Sequence, residues 1–304
     1  MKTLTQLAGG FEKLLARLPG PIRKPVEREW RPLRELFLHR RPARLLVIAE
    51  PGGEGEEWVR ALFQMGQGIS EAEVGPWATY RHRGVIAFSV AGSEQQARAA
   101  MRDAEPDLFV YLSTPETPAW AELRGDRPSV TAMRSDPRGT VLAAICQALP
   151  LETRLEFARV SGEPSAQIEI AAMLTRSTTA ICTAIGAQPI PLADFPILTS
   201  LQVVMVAGIV HATGREWSLR LARDFLAALG ANIGVGFLLR EGARAAVKLL
   251  PIWGNVISGA VAGAGTYAIG RAASAYFIEG LSLAEARRQF KLLKNKKRPP
   301  GLPR

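Results

Sequence analysis

Histidine and cysteine are nearly absent from this chain, which has three of the first and two of the second in 304 residues. So few imidazoles and thiols leave little room for a zinc site, and no Ser/His/Asp or metal-ligand spacing stands out, so no metal and no cofactor is expected. Cys146 and Cys182 lie in apolar surroundings without a C-x-x-C spacing. They read as two reduced core residues in a cytosolic compartment, not as a disulfide framework. His211, near a helix end, reads as structural. The N-terminus, MKTLTQLAGGFEKLLARLPG, has no uninterrupted apolar run, so no secretory signal peptide is expected. Strand signals are missing from about residue 151 onward.

What is present is length, apolar content and positive charge. The chain is long enough for two domains with real cores, and 47% of its residues are hydrophobic. A net charge of +10, from 38 Lys+Arg against 28 Asp+Glu, points to an anionic partner, either nucleic acid or an acidic membrane surface. The basic residues are dispersed and carry no aromatic-basic recognition motif, so nucleic acid is not the expected partner. Leu4, Leu7, Phe11, Leu14, Leu15 and Leu18 fall at helical spacing, which predicts an amphipathic helix broken by Pro19, Pro21 and Pro25. A second helix is expected from Val26 to His39, and residues 1–42 together read as an amphipathic helical lead-in.

Residues 43–150 alternate apolar runs with helical patterns. Strands are expected at Leu45–Ala49, Val85–Val90, Leu108–Leu112 and Val130–Met133. Helices are expected at Glu56–Gln64, Glu94–Asp103 and Thr140–Leu149. That alternation predicts an α/β domain with a parallel sheet covered on both faces. Arg44–Phe63 reads RLLVIAEPGGEGEEWVRALF: a strand, a glycine-rich turn, then an amphipathic helix. A P-loop, G-x-x-x-x-G-K-[ST], joins strand to helix in the same way. Aligned on Gly55, its leading glycine becomes Glu50, its lysine Glu56 and its Ser/Thr Glu57. Carboxylates at Glu50, Glu54, Glu56 and Glu57 repel a phosphate that a lysine would neutralise, by a few kcal/mol at a moderate effective dielectric. The same four acids could suit Mg²⁺ or Ca²⁺, but a solvated loop is the plainer reading.

Two further positions extend the comparison. In Phe88–Gly92, FSVAG, Ser89 takes the place of the Asp of D-x-x-G and Gly92 remains. In Met133–Asp136, MRSD, Asp136 and a cationic second residue remain of N-K-x-D. In order and spacing, residues 43–160 resemble small GTPase domains of the Ras-like and Era-like kind, with the chemistry-bearing positions changed. The resemblance implies a degenerate, P-loop-like domain in which Gly55, Glu56, Glu57, Ser89, Gly92 and Asp136 are vestigial nucleotide-site positions and GTP hydrolysis is not expected. Any doubly wound α/β domain with a tight glycine turn is the open alternative.

Beyond residue 150 the chain turns to Ala, Gly, Leu, Ile and Val in helical stretches, so an all-α hydrophobic domain is expected over 151–286. A basic tail follows over 287–304, expected to be disordered at its tip. The elements Pro189–Asp194 (PIPLAD), Leu198-Thr199, Leu201-Gln202, Pro251, Gly254 and Thr266–Gly270 (TYAIG) resemble the bacterial family catalogued as domain of unknown function number 697, over about residues 165–280. That resemblance implies an architecture, a helical membrane-associated module found beside GTPase domains, and no reaction.

Leu249–Gly270 is an uncharged stretch of 22 residues. At about 1.5 Å per residue it matches a hydrocarbon core of about 30 Å, so it is the expected transmembrane helix. Gly259 and Gly263 within it make a small-residue packing face. Phe195–Val210 is shorter and reads as an interfacial pair member or a core helix. A buried soluble bundle is the open alternative. Asp194 and Gln202 are the polar residues to follow; Asp194 reads either as the N-cap of the next helix or as a functional acid at the membrane.

Together these features predict a non-enzymatic membrane-associated protein with a pseudo-GTPase-like partner-binding domain and a helical membrane or oligomerisation module. The α/β domain and tail are expected to face the cytoplasm at the cytoplasmic membrane. A protein partner or homo-oligomer is expected, with no small-molecule substrate. The alternatives are an atypical GTP-binding protein with a rearranged site and, last, a soluble basic nucleic-acid-binding protein.

Overall fold

The computed structural model describes residues 9, 11–13, 15–16, 19–38, 44–48, 62, 74–75, 87–91, 106–112, 116–187, 194–230 and 253–296. In chain order the elements are α1 (Gly20–Leu38), β1 (Arg44–Ile48), β2 (Val74–Gly75), β3 (Ala87–Ala91), β4 (Leu108–Leu112), α2 (Pro118–Arg124), β5 (Ser129–Ala132), α3 (Arg138–Ala148), α4 (Leu151–Ser161), α5 (Pro164–Gly186), α6 (Asp194–Ala212), α7 (Leu219–Leu229), α8 (Trp253–Phe277) and α9 (Leu283–Lys296). They fall into two compact units. One comprises His39–Ile170 with Ala212–Arg215; the other comprises Met1–Leu38, Ala171–His211 and Glu216–Arg304.

The first unit is built on a parallel sheet in the order β2-β3-β1-β4-β5. The four strands expected from the sequence are present within two residues of their expected ends, and β2 is an addition of two residues. β4, LFVYL, is buried at every position. A parallel strand covered on both faces needs such an uninterrupted apolar run, so no alternation is seen. Helix α3 packs on β4 and β5 and buries Val141, Leu142, Ile145 and Cys146, the i, i+1, i+4, i+5 set of one helix face. Helix α4 then packs on α3. Arg154 of α4 donates to the carbonyls of Leu149 and Gln147, which satisfies the open end of α3. Gly162 closes α4 in the left-handed conformation at φ 60°, which a glycine adopts without steric cost.

Arg138 ties these parts together. Its guanidinium donates to the carbonyl of Leu62, to the carbonyl of Ser161 and to the Glu163 carboxylate at 2.6 Å. This clamp spans segments far apart in sequence, and none of it was foreseen.

In the second unit α1 presents Val26, Trp30, Leu33, Leu36 and Phe37 as one buried face. The helix begins at Gly20, not at Val26 as expected, and runs through Pro25 and Pro32. Pro21 lies in the first turn, where no intrahelical N–H is required. The described residues between 9 and 15 are helical, with Phe11 and Leu15 buried and the Phe11 ring 4.4 Å from that of Trp30. These N-terminal helices are part of the helical core. Ser177 donates to Glu29 of α1, and a side chain at Gly208 of α6 would meet Phe37 at 2.8 Å and Leu174 at 2.9 Å. Sequence pattern places the domain boundary near 150 and treats residues 1–42 as a lead-in. The compact units instead divide inside α5, after Ile170, because α4 stays on α3 while residues 1–38 close onto the C-terminal helices.

Helix α6 is buried around nearly its whole circumference, including Leu201, Val203, Met205, Val206, Ala207, Ile209 and Val210, as a helix apolar all round must be. Helix α7, capped by Ser218 through the Leu221 amide, packs Phe225 against Tyr276 and Phe277 of α8. The basic tail expected from Arg287 is helical as far as Lys296, because Ser282 and Glu285 form a reciprocal capping box and Ala286 and Phe290 are buried. Residues 297–304 lie outside the described residues, as do the expected helix Glu94–Asp103 and, apart from helical Leu62, Glu56–Gln64.

Removing the Arg138 clamp strands a half-buried carboxylate and two carbonyls, so Arg138→Ala is expected to destabilise the α/β unit by about 2–4 kcal/mol. Urea unfolding of wild type and variant, followed at the tryptophans, reads this; a midpoint that does not move contradicts it.

Candidate functional site

A parallel sheet carries all its C-terminal strand ends on one edge, and ligands of open α/β sheets collect where the strand order reverses. Here the chain places β3 and β2 on one side of β1 and β4 and β5 on the other, so the reversal lies between β1 and β4. The glycine-rich acidic segment follows β1 in the sequence. Gly55, Glu56, Glu57 and Gly92 themselves lie outside the described residues. Ser89 lies inside β3, paired with Leu46 of β1 and Gly75 of β2. The strand expected over Val85–Val90 contains it, and pairing with β1 continues to Ala91.

Asp136 closes its own turn. Its carboxylate accepts from the Met133 amide at 2.7 Å, and its own amide donates to the Met133 carbonyl at 3.0 Å. An Asp that holds a turn in this way has a complete local explanation. Nearby, at the end of β4, the buried Tyr111 hydroxyl donates to Glu116 at 2.9 Å, and Arg124 donates to the same oxygen at 2.7 Å. Burial first, and the Glu116 carboxylate second, push the Tyr111 phenol above its ordinary range. The Arg124 hydrogen bond holds Glu116 below the usual carboxylate value. Arg124 also donates to the carbonyls of Gly125 and Arg127. The trio therefore fastens the β4–α2–β5 crossover. The sequence pattern did not reveal it; a tyrosine in an apolar strand, five residues before a glutamate, was its only trace.

Cys146 is buried on α3, where burial and the nearby Glu169 push its thiol up to about 12. Cys182 is buried too, and both cysteines are free. Among the described residues no group of three or more His, Cys, Asp or Glu is placed to hold a metal ion.

The second set of residues is a polar seam in the helical unit. Gln202 of α6 donates to Thr266 of α8 at 2.9 Å, and Thr266 donates to the Ala262 carbonyl one turn back. Thr183 of α5 likewise donates to the Thr179 carbonyl. Across from them stand the glycines of α8. A Cβ at Gly259 would lie 2.8 Å from the Thr183 carbonyl and 2.9 Å from the Ala187 Cβ. One at Gly263 would overlap the Thr183 hydroxyl, and one at Gly270 would overlap that of Thr175. Contacts that climb α8 from Gly259 to Gly270 descend α5 from Ala187 to Thr175, so the two helices run antiparallel with their backbones close. Thr175 Oγ1 is buried without a hydrogen-bond partner and lies where a Cβ on Gly270 would be.

Gly259 and Gly263 face Thr183 and Ala187 of α5, and Gln202 is brought to Thr266. Asp194 is the first residue of α6, and its side chain lies outside the described residues. The threonines of α5 were not foreseen, although Thr175, Thr179 and Thr183 recur every four residues.

The expected transmembrane helix is corrected. Leu249–Ile252 lie outside the described residues, and α8 runs past Gly270 and through Arg271 to Phe277. Among the described residues one helix is long and apolar enough to cross a membrane, and it is α5, with half of its most apolar stretch buried; α6 contributes the shorter apolar stretch Leu198–Ala212. Glycines lower the hydropathy of α8 while serving close contact. Glu169 and Arg176 interrupt α5, so a search for uncharged runs passes over it. No known protein family, curated protein or solved structure matches the chain.

Two measurements follow. Gly263→Leu and Gly270→Leu are expected to cost about 3 kcal/mol or more through overpacking against Thr183 and Thr175. Gly265 has nothing within 4 Å of a Cβ, so Gly265→Ala is expected to stabilise by about 0.5–1 kcal/mol through helix propensity; thermal melts of the three variants give the order. The folded Glu116 carboxyl titrates below its ordinary 4.5. Its contribution is therefore full above that value and is lost as pH falls through the lower, folded value. Glu116→Gln should lower the melting temperature near neutral pH, with the gap from wild type closing on acidification; a gap that widens in acid contradicts this assignment.

Proposed function

We propose that this chain is a non-enzymatic, membrane-associated protein in which a degenerate small-GTPase-like domain binds a protein partner and a helical unit works at the cytoplasmic membrane. The observation that carries the reading is α5, a helix of 23 residues with the length and apolarity of a membrane crossing. Its threonine face is matched to the glycines of α8, the small-residue contact by which helices associate without a hydrophobic driving force between them.

The pseudo-GTPase half is supported by the sheet and by charge. The strand order reverses beside β1, and the segment that follows β1 in the sequence carries Glu50, Glu54, Glu56 and Glu57 and no lysine. Four carboxylates in that sequence would repel a phosphate rather than hold one. Asp136 is engaged with the backbone of its own turn. A domain with this architecture and no phosphate-binding charge is suited to presenting a surface to another protein. Residues 287–304 hold eight Lys or Arg and no Asp or Glu; with the reduced cysteines, this favours placing the C-terminal segment and the α/β domain on the cytoplasmic side.

Fractionation of cells making the full-length protein tests the membrane half. Retention through salt and carbonate washes with release by detergent is expected; complete recovery in the salt-washed soluble fraction contradicts it and favours a buried soluble bundle. Isothermal titration with GTP and ATP in the presence of Mg²⁺ tests the other half. No binding is expected, whereas tight binding abolished by Asp136→Ala would replace this reading with that of an atypical GTP-binding protein.

A further inference from the structure

Helix α9 is anchored on one side and exposed on the other. Its start is held by the Ser282–Glu285 capping box. Its inner side buries Ala286 and Phe290, it packs on α8 and α7, and Arg287 donates to the carbonyl of Ala228 at the end of α7. The Lys294 ammonium lies 5.2 Å from the Phe290 ring. At 3.6 residues per turn, Ala284, Arg287, Arg288, Lys291 and Leu292 fall on one arc of about 140°, and all five are exposed. Leu292, at 70%, is the most exposed large apolar side chain among the described residues. The one acid of the helix, Glu285, is committed to the cap and lies outside that arc.

We propose that this arc of α9 docks on an anionic lipid surface. The inference deepens the membrane reading above and rests on it. The occupant follows from the chemistry of the arc. Arginine and lysine without an opposing carboxylate on the arc complement anionic headgroups. Leu292 beside them suits the headgroup–acyl boundary, where an interfacial helix gains from apolar burial as well as from charge. Ala284, with only a methyl group, lets the first turn lie close to that surface. Phosphate backbones of nucleic acid would use the cations but not Leu292, and the arc has no aromatic ring on which a base could stack. The helix is already folded and fixed to α7 and α8, so docking carries no cost of ordering a loose segment.

The test places a reporter on the arc. Both native cysteines are buried, so an environment-sensitive fluorophore on Leu292→Cys labels one position of the full-length protein. The labelled protein is reconstituted with vesicles of phosphatidylcholine alone or with about a third phosphatidylglycerol. A blue shift in the anionic vesicles only, reversed by salt, is expected. Combining Arg288→Gln and Lys291→Gln should weaken docking roughly 25-fold, at about fivefold per cation, with an unchanged thermal melt. Equal emission in the two kinds of vesicle overturns the docking of α9 while protein floating with both keeps the membrane reading. Protein that floats with neither overturns both. A shift produced by duplex DNA at equal charge concentration, and lost in the same double variant, assigns the arc to nucleic acid and overturns the lipid inference.

Discussion

The close antiparallel contact of α5 with α8 is the constraint on which the helical unit depends. Three glycines of α8 leave no side chain where Thr175, Thr183 and Ala187 need room. The helices can therefore approach until a hydroxyl lies where a glycine's Cβ would be, and dispersion contacts accumulate along more than two turns of each helix. Everything else in the unit is arranged around that pair. Helix α6 adds Gln202 to Thr266, α1 adds Glu29 to Ser177, and α7 adds Phe225 to the end of α8. Gln202 and Glu29 arrive with partners, as burial favours, whereas Trp30 Nε1 on α1 and the Thr175 and Thr179 hydroxyls on α5 are buried without one.

The α/β unit depends on a different kind of bond. Its sheet is ordinary for a buried parallel sheet, but its edges are fastened by arginines. Arg138, Arg154 and Arg124 each donate to backbone carbonyls at element ends. A planar guanidinium with five donors can satisfy several orphan carbonyls at once, which a lysine cannot. Part of the chain's excess of positive charge is thus structural. Counting it wholly toward an anionic partner overstates the case; Arg288 and Lys291 of α9 are among the exposed cations that remain available for one.

Much of the fold was legible from residue pattern. The four principal strands, the helix after β5 and the apolar helices of the C-terminal half follow from apolar period and turn chemistry. What pattern misjudged was mostly a matter of partners. Residues 1–38 look like a detached lead-in, yet Trp30 and Phe37 are buried within the helical unit. Pro25 looks like a helix breaker, yet α1 begins before it. Leu249–Gly270 looks like the membrane crossing because it lacks charge, whereas among the described residues the helix long and apolar enough is α5, despite Glu169 and Arg176. Of the site positions, Gln202, Gly259 and Gly263 could be picked out as residue types; their counterparts Thr266, Thr183 and Ala187 could not.

By itself the sequence determined the periodicities, the glycine-rich sequence after β1 with its four carboxylates, and the basic C-terminal composition, because these are properties of neighbouring residues along one chain. Only the tertiary structure decided that Asp136 binds its own turn, that Arg138 joins Leu62 to Ser161 and Glu163, and that a threonine every fourth residue on α5 meets the glycines of α8. The last two are meetings between segments tens of residues apart. Local propensity contains no term for them, and they are settled by which faces can be buried together.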